Sequence, residues 1–376
     1  MKSFLIATIE QTELSSSTNC SSAPLLPLVD RPVMVYTVEL LARYGIRDIS
    51  VVQPSRLNNI EKYFKDGKRW NVNLTYLRQD NSLDSAGILK DWADTHGETF
   101  LVVPANCFFD FNIDAALEHH HRTHAQITMI LARCMDPENI PQAVQIDADS
   151  RVVGLGDNAH GHQFQATGAY ICEPHVFQQI PAGPLCDIAT QVIPALLAQG
   201  QKVSGFEIDG YWNPLHSFPA YKEAQEECLA ALMHSQPEGN HSRIHKLYAD
   251  GQHKHNGLWR APHSVIHQSV RITPPVFVGE GSQIGPDVEL GPNVVIGSHV
   301  VVDEGATIRN STILRNTYVG QLVELNNRIV NKSRLIDAET GEYTQITDDF
   351  LLSEASPAMI GHRLKDMMGR MLGFFL

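Results

Sequence analysis

Apolar residues in the first 230 positions alternate between short β-like runs and longer stretches with helical spacing. Phe4 to Ile9 reads as a buried strand. Val33 to Tyr44 carries apolar residues three and four apart and stops at Gly45, the residue type that most readily takes a left-handed helix cap. Strands are predicted at Ile49–Val52, Leu74–Leu77 and Phe100–Val103, and helices at Leu57–Phe64, Ala86–Ala93 and Ile113–Thr123. Strands at Gln126–Ala132, Ala143–Ile146 and Ala166–Ile171 and a helix at Ile188–Ala198 follow. Strands alternating with helices of this length predict βαβ units and a doubly wound α/β sheet.

Between about 230 and 260 the pattern breaks into polar, glycine-bearing and histidine-rich stretches, Ser235 to His241 and Asp250 to Gly257, which read as a linker. Its histidines are read as solvated side chains. A different period then takes over. Ile266, Ile272, Val278, Ile284, Leu290, Ile296, Val302, Ile308 and Leu314 recur every six residues. Four places after each of the first eight stands a small or branched residue: Val270, Val276, Ser282, Val288, Val294, Val300, Ala306 and Thr312. A period of six is neither helical nor simple alternation. It predicts a β-helix whose triangular coils take about eighteen residues each, so that nine hexads make about three coils. The domains expected are 1–232 (α/β), 233–261 (linker), 262–335 (β-helix) and 336–376 (extension). In the extension Ile360, Leu364, Met367, Met368, Met371, Leu372 and Phe375 share one helical face, with Arg363, Lys365 and Arg370 supplying charge. Such a helix suits packing on its own domain or its copy, or on a membrane surface or partner.

Composition adds exclusions. Acidic residues number 42 against 29 basic, a net charge of −13, which excludes a nucleic-acid scaffold with its basic footprint. A phosphate ligand stays open, because backbone N–H groups and one or two cations can hold one. The six cysteines form no C-x-x-C pair, so neither a thiolate metal site nor a disulfide framework is expected. Glu10 interrupts the N-terminal apolar run too early for a signal peptide, and no apolar run reaches the length of a membrane span. The expectation is a soluble cytoplasmic protein, peripheral at most to the inner face of a membrane.

Several segments carry a resemblance: Pro24 to Leu41, Leu83 to Leu89, Ala166 to Ile171, Gly210-Tyr211-Trp212, and Thr317 to Leu325. In this order they resemble the sugar-1-phosphate nucleotidyltransferases, which make NDP-sugars from NTPs. The resemblance implies a mixed, doubly wound nucleotidyltransferase sheet followed by a left-handed hexapeptide-repeat β-helix. The family's chemistry brings phosphates together, and Mg²⁺, Lys, Arg and backbone amides neutralise them.

The implied site is depleted. Against the family's Gly-Gly-x-Gly-Thr-Arg-Leu loop this chain has Thr8-Ile9-Glu10-Gln11-Thr12-Glu13-Leu14, and against Pro-Lys-Pro it has Ser22-Ala23-Pro24. Glu13 replaces the Arg and Ala23 the Lys, a heavy electrostatic penalty at a phosphate site. The family's first metal Asp becomes Asn106 after Ala105, and the second, two places after Gly-Tyr-Trp, becomes Pro214 after Asn213. What persists is Thr12, Ser85, Ala86, Gly87 and Asn106 as a vestigial nucleotide site, and Gly168 as a vestigial sugar site. Gly87 and Gly168 are equally explained by backbone geometry alone. No catalytic residue and no metal ligand is expected, with Mg²⁺ required only if the protein is active.

The reading is therefore a catalytically degenerate relative, a regulatory or scaffolding subunit in cell-surface or exopolysaccharide biosynthesis. Its expected partners are a nucleotide or sugar nucleotide, and a second copy or partner protein through the β-helix and C-terminal helix. Two alternatives use other residues. A rebuilt nucleotidyltransferase site would draw on Asp84, Asn106, Asp157 and Asp187, and a β-helix acyltransferase on His263, His267 or His299 as general base.

Overall fold

The computed structural model describes residues 1–7, 14, 18, 22–54, 59–79, 85–93, 97–133, 142–156, 164–178, 187–233, 252–254 and 257–355. The chain divides into two compact units: 1–10, 22–25 and 33–214 in the first, and 11–21, 26–32 and 215–376 in the second.

In the first unit, strands β1 (Lys2–Ile6), β2 (Asp48–Pro54), β3 (Asn73–Gln79) and β4 (Phe100–Pro104) are parallel, in the order β4-β1-β2-β3. A two-stranded ladder joins β5 (Phe108–Asp110) to a later strand. Strands β6 (Ile127–Arg133), β7 (Ala143–Ile146), β8 (Val152–Leu155), β9 (Phe164–Cys172) and β10 (Val203–Glu207) extend the sheet beyond β4. Among them β9 runs antiparallel to β4, β6 and β7, which makes the sheet mixed. Both faces are covered, as a parallel sheet requires. Leu5, Val51, Leu101 and Val103 face one core, with helices α1 (Val33–Arg43), α2 (Asn59–Phe64) and α4 (Ile113–Thr123). Phe4, Val52, Phe100 and Val102 face the other, with α3 (Ser85–Ala93) and the helical stretch Ile188–Ala198. Gly45 takes φ +73° just past α1, the left-handed cap its position predicts.

Near the end of α4 stand three consecutive histidines, of which His119 and His120 are buried. Ser204 Oγ donates to Ser150 O, so it accepts from His119 Nε2, while His119 Nδ1 accepts from Arg122. His120 Nε2 donates to Glu173, and its Nδ1 lies 2.8 Å from Thr128 Oγ1. The His119 ring is therefore neutral in this arrangement. Burial holds both imidazoles below their ordinary pKa. Burial works against the Glu173 carboxylate too, yet hydrogen bonds from Thr99 and His120 keep its pKa low.

The second unit is a parallel β-helix of three faces. The rungs 258–260, 276–278, 294–296, 312–313 and 328–331 build one face; 265–266, 283–284, 301–302 and 317–319 the second; 271–272, 289–290, 307–309 and 324–326 the third. That is four coils and one further rung, against the three coils expected. Leu258–Arg260 lies in no hexad and becomes a rung because its backbone pairs with Val276–Val278. The ninth hexad position is corrected as well. Coils repeat every 18 residues up to Val278↔Ile296, then every 17, Ile296↔Ile313↔Val330. The residue stacked in the core is therefore Ile313, fully buried, and not Leu314. Each stacked aliphatic contributes about 1.5–3 kcal/mol by leaving water. Antiparallel strands Arg334–Asp337 and Tyr343–Gln345 cap the first face, and Leu352–Glu354 the second.

Helix α5 (Phe218–Met233), unforeseen in the sequence, also belongs to this unit. Phe218, Tyr221, Ala224, Gln225, Cys228, Leu229 and Leu232 give it a buried face at spacings of three and four. Among the described residues no helix is long and apolar enough to cross a membrane. Cys107, Cys172 and Cys228 are free and buried, and burial raises all three thiols, Cys107 to about 12. The predicted tail helix lies outside the described residues.

Candidate functional site

The sheet order locates the site. From β1 the chain moves to β2 on one side, while β4 lies on the other side and leads away toward β9. The gap beyond the carboxyl ends of β1 and β4 is a topological switch point, where open α/β sheets bind ligands. Ala105 N donates to Ile6 O at 2.9 Å, so the turn carrying Asn106 sits at this gap.

Asn106 and Pro214, the two positions where the resemblance implies metal carboxylates, meet here. Strand β11 (Tyr211–Asn213) pairs antiparallel with β5, Asn213 opposite Phe108. This ladder brings Asn213-Pro214 beside the Asn106-Cys107 turn, and Cys107 Sγ lies 4.0 Å from Pro214 O. Asn106 offers an uncharged amide. Asn213 is buried, and its Nδ2 donates to Tyr211 Oη at 3.1 Å. Pro214 has no donor atom in its side chain. Among the described residues no group of three or more His, Cys, Asp or Glu could hold a metal ion. These residues do not fit a Mg²⁺ site, whose charge needs carboxylate oxygens.

Gly168 lies in β9, next to the same gap. The register of β9 shifts between Ala166 and Tyr170, and Gly168 there takes φ +80°. A Cβ at Gly168 would stand 2.9 Å from Pro104 Cγ, at the end of β4. The bulge and this close approach account for the glycine without a ligand. Ser85, Ala86 and Gly87 form the first turn of α3, after β3. Ala23 starts a single 3₁₀ turn, Ala23–Leu25. Asp187, a candidate for a rebuilt site, caps the helical stretch that follows it, accepting from Thr190 N at 2.8 Å and Thr190 Oγ1 at 2.9 Å. Thr12, Glu13, Asp84 and Asp157 lie outside the described residues.

The β-helix histidines do not converge. His263 and His299 occupy one corner column with Gly281 and Asn316, all at positive φ. The His299 ring lies over Gly281, where a Cβ would meet Nδ1 at 2.6 Å. His267 is at another corner, its Nδ1 2.8 Å from Ser269 Oγ.

A feature that spacing could not reveal is the clasp on segment 26–32. Strands Pro27–Leu28 and Arg31–Pro32 are joined by Val29 and Asp30, at φ +44° and +67°. The valine is strained there, since a β-branched side chain rarely takes a left-handed backbone. Val29 N donates to Gln225 Oε1 at 2.7 Å, and Tyr221 Oη donates to Pro27 O at 2.5 Å. Ser298 Oγ donates to the Asp30 carboxylate, and Arg315 NH2 lies 3.8 Å from it. Asn331 Nδ2 donates to Thr18 O at 2.6 Å.

Comparison with known proteins adds the family. The Nucleotidyl transferase signature matches residues 12–231, and the GMPPB C-terminal domain matches residues 272–355. A UTP–glucose-1-phosphate uridylyltransferase of Synechocystis sp. is 27% identical over 249 residues, 60% of this chain and 62% of its own length. The match thus spans a little under two thirds of that relative. A mannose-1-phosphate guanylyltransferase of Mycobacterium tuberculosis is 23% identical over 280 residues, 73% of this chain and 74% of its own. A Bacillus anthracis crystal structure assigned as a glucose-1-phosphate thymidylyltransferase shares the fold, with a TM-score of 0.53 and 20% identity over 64% of this chain and 98% of that one.

Proposed function

The chain belongs to the nucleotidyl transferase family, and from that premise we propose that it is a catalytically degenerate member. It serves in cell-surface or exopolysaccharide biosynthesis, either as a regulatory subunit that binds a nucleotide or sugar nucleotide without turnover or as a scaffolding subunit. The observation that carries this reading is the pair Asn106 and Pro214 at the switch point, neither of which can bring charge to a metal ion. Glu13 and Ala23 in the phosphate-loop segment support it, since they reverse one charge and delete another.

The test is pyrophosphate release from NTPs with a panel of sugar-1-phosphates and Mg²⁺, run beside a thermal-shift screen of NTPs and NDP-sugars. Degeneracy predicts no pyrophosphate at any combination. A stabilising ligand then marks a sensor, and none marks a scaffold. Mg²⁺-dependent pyrophosphate release would instead establish the second reading, an active NDP-sugar pyrophosphorylase with a rebuilt site. That reading draws support from the retained framework, with the switch point, Gly168 and the first turn of α3 all in family order. Acyl transfer lacks such support, because His263, His267 and His299 stand on separate corners or coils.

A further inference from the structure

In a chain of net charge −13, residues 61–78 carry five basic and two acidic side chains. Arg78 pairs with Glu61 and Lys68 with Asp66, whereas Lys62 and Lys65 are exposed and make no ion pair among the described residues. Aromatic rings stand among them. Tyr63, 38% exposed, stacks on Trp70 at 6.3 Å, and Arg69 lies over Trp70 at 5.4 Å. Tyr76 Oη donates to Lys65 O at 2.6 Å, joining this surface to β3, the outermost strand of its sheet.

The second unit carries the complement. Residues 337–354 hold six acidic side chains and no basic one. Glu342 and Asp349 make no ion pair among the described residues. Tyr343 is 57% exposed and Phe350 83%. Strand Tyr343–Gln345 is the outermost of its sheet. The turn presenting Phe350 is built: Asp348 Oδ1 accepts from Phe350 N at 2.9 Å, and Gly320 N donates to Leu351 O at 2.8 Å. A Cβ at Gly320 would strike Phe350 O at 1.8 Å, so the outward aromatic rests on a closely packed backbone.

We propose that the chain associates with further copies of itself head to tail, the basic aromatic surface around Lys62, Lys65 and Tyr63 on one copy seating the acidic surface around Glu342, Asp349 and Phe350 of the next. Opposite charges steer the encounter and exposed aromatics supply the apolar contact. Because the two surfaces differ, each copy offers one of each, and the contact closes as a reciprocal pair or a ring or extends as an open chain. An anionic membrane is the poorer occupant, since it would repel a chain of −13 that carries an acidic patch of its own.

Sedimentation velocity of the full chain over a concentration series, at low and at high salt, tests this. The wild-type size should grow with concentration at low salt and lose that dependence at high salt. Lys62→Glu with Lys65→Glu, and separately Glu342→Lys with Asp349→Lys, should each leave one species of constant size. Mixing these two variants restores opposite charge at both contacts, so the mixture should associate again, which also shows that both are folded. Variants that associate as the wild type does, a mixture that stays dissociated, or a wild type of one fixed size at every condition overturns the proposal. Lys62- and Lys65-dependent binding to phosphatidylserine vesicles without self-association overturns it too.

Discussion

The hydroxyl of Ser298 donates a hydrogen bond to the carboxylate of Asp30, 268 residues earlier in the chain. Asp30 holds a left-handed backbone conformation in a two-residue turn, and burial raises its carboxyl pKa against the opposing effects of Ser298 and Arg315. The turn at Val29 and Asp30 is thereby fastened to a corner of the β-helix.

Asp30→Ala removes the acceptor and strands the Ser298 hydroxyl, which costs about 1–3 kcal/mol. Asp30→Asn keeps an acceptor oxygen and tolerates the left-handed backbone, so its loss should be clearly smaller. Urea unfolding of the two variants compares them directly; equal losses would discard the hydrogen bond as the cause.

Acid should weaken the protein below the ordinary histidine range. His119 and His120 both have folded pKa values below 6.5, through burial first. Above about pH 6.5 both states are neutral and this contribution is level. As pH falls through that value the unfolded chain takes up protons first, and stability is lost until the folded pKa values are passed. Glu173, also lowered, adds a further loss below 4.5, whereas Asp30, raised above 3.8, acts in the opposite direction there. Unfolding midpoints measured from about pH 7 to about pH 5 should decline, and His120→Gln should flatten the slope.

The shortened coil makes a prediction about a single rung. Ile313→Ala opens a cavity in the stacked core and should cost about 2–5 kcal/mol, since Ile296 and Val330 lie directly above and below. Leu314→Ala should cost less, because Leu314 is not part of that stack. Chemical denaturation of the two variants decides the register, and a larger loss at Leu314 would contradict it.

Gly168→Ala should destabilise by about 1–2 kcal/mol from its left-handed backbone alone, with more from the 2.9 Å approach to Pro104. Thermal unfolding without any ligand should show the loss. An unchanged midpoint would return Gly168 to a purely ligand-contacting role.

Much of the first unit was legible along the chain. Ile113–Thr123 and Ala143–Ile146 form as predicted and the other predicted elements differ at their ends, whereas strands Phe108–Asp110, Val152–Leu155, Val203–Glu207 and Tyr211–Asn213 were not predicted. The β1 strand covers Lys2–Ile6, with Thr8 and Ile9 of the predicted run outside the described residues, and β9 extends on both sides of the predicted run. Helix α5 was missed because Gln225, Cys228 and several alanines blur its apolar face. At the site, Asn106, Pro214 and Gly168 were each found by resemblance, but their separation in the sequence concealed that β4, β9 and the β5–β11 ladder bring them to one gap.

Local pattern determined the α/β repeat and the six-residue period, because each depends on residue type and near spacing. Only the tertiary structure decided that the coil shortens so that Ile313 replaces Leu314 in the core, that Asp30 is held by Ser298, and that His119 and His120 are buried. These are long-range facts. A hydrogen-bond partner 268 residues away, or a register shift of one residue between coils, leaves no periodic trace in the chain, since what selects it is the packing of surfaces that folding brings together.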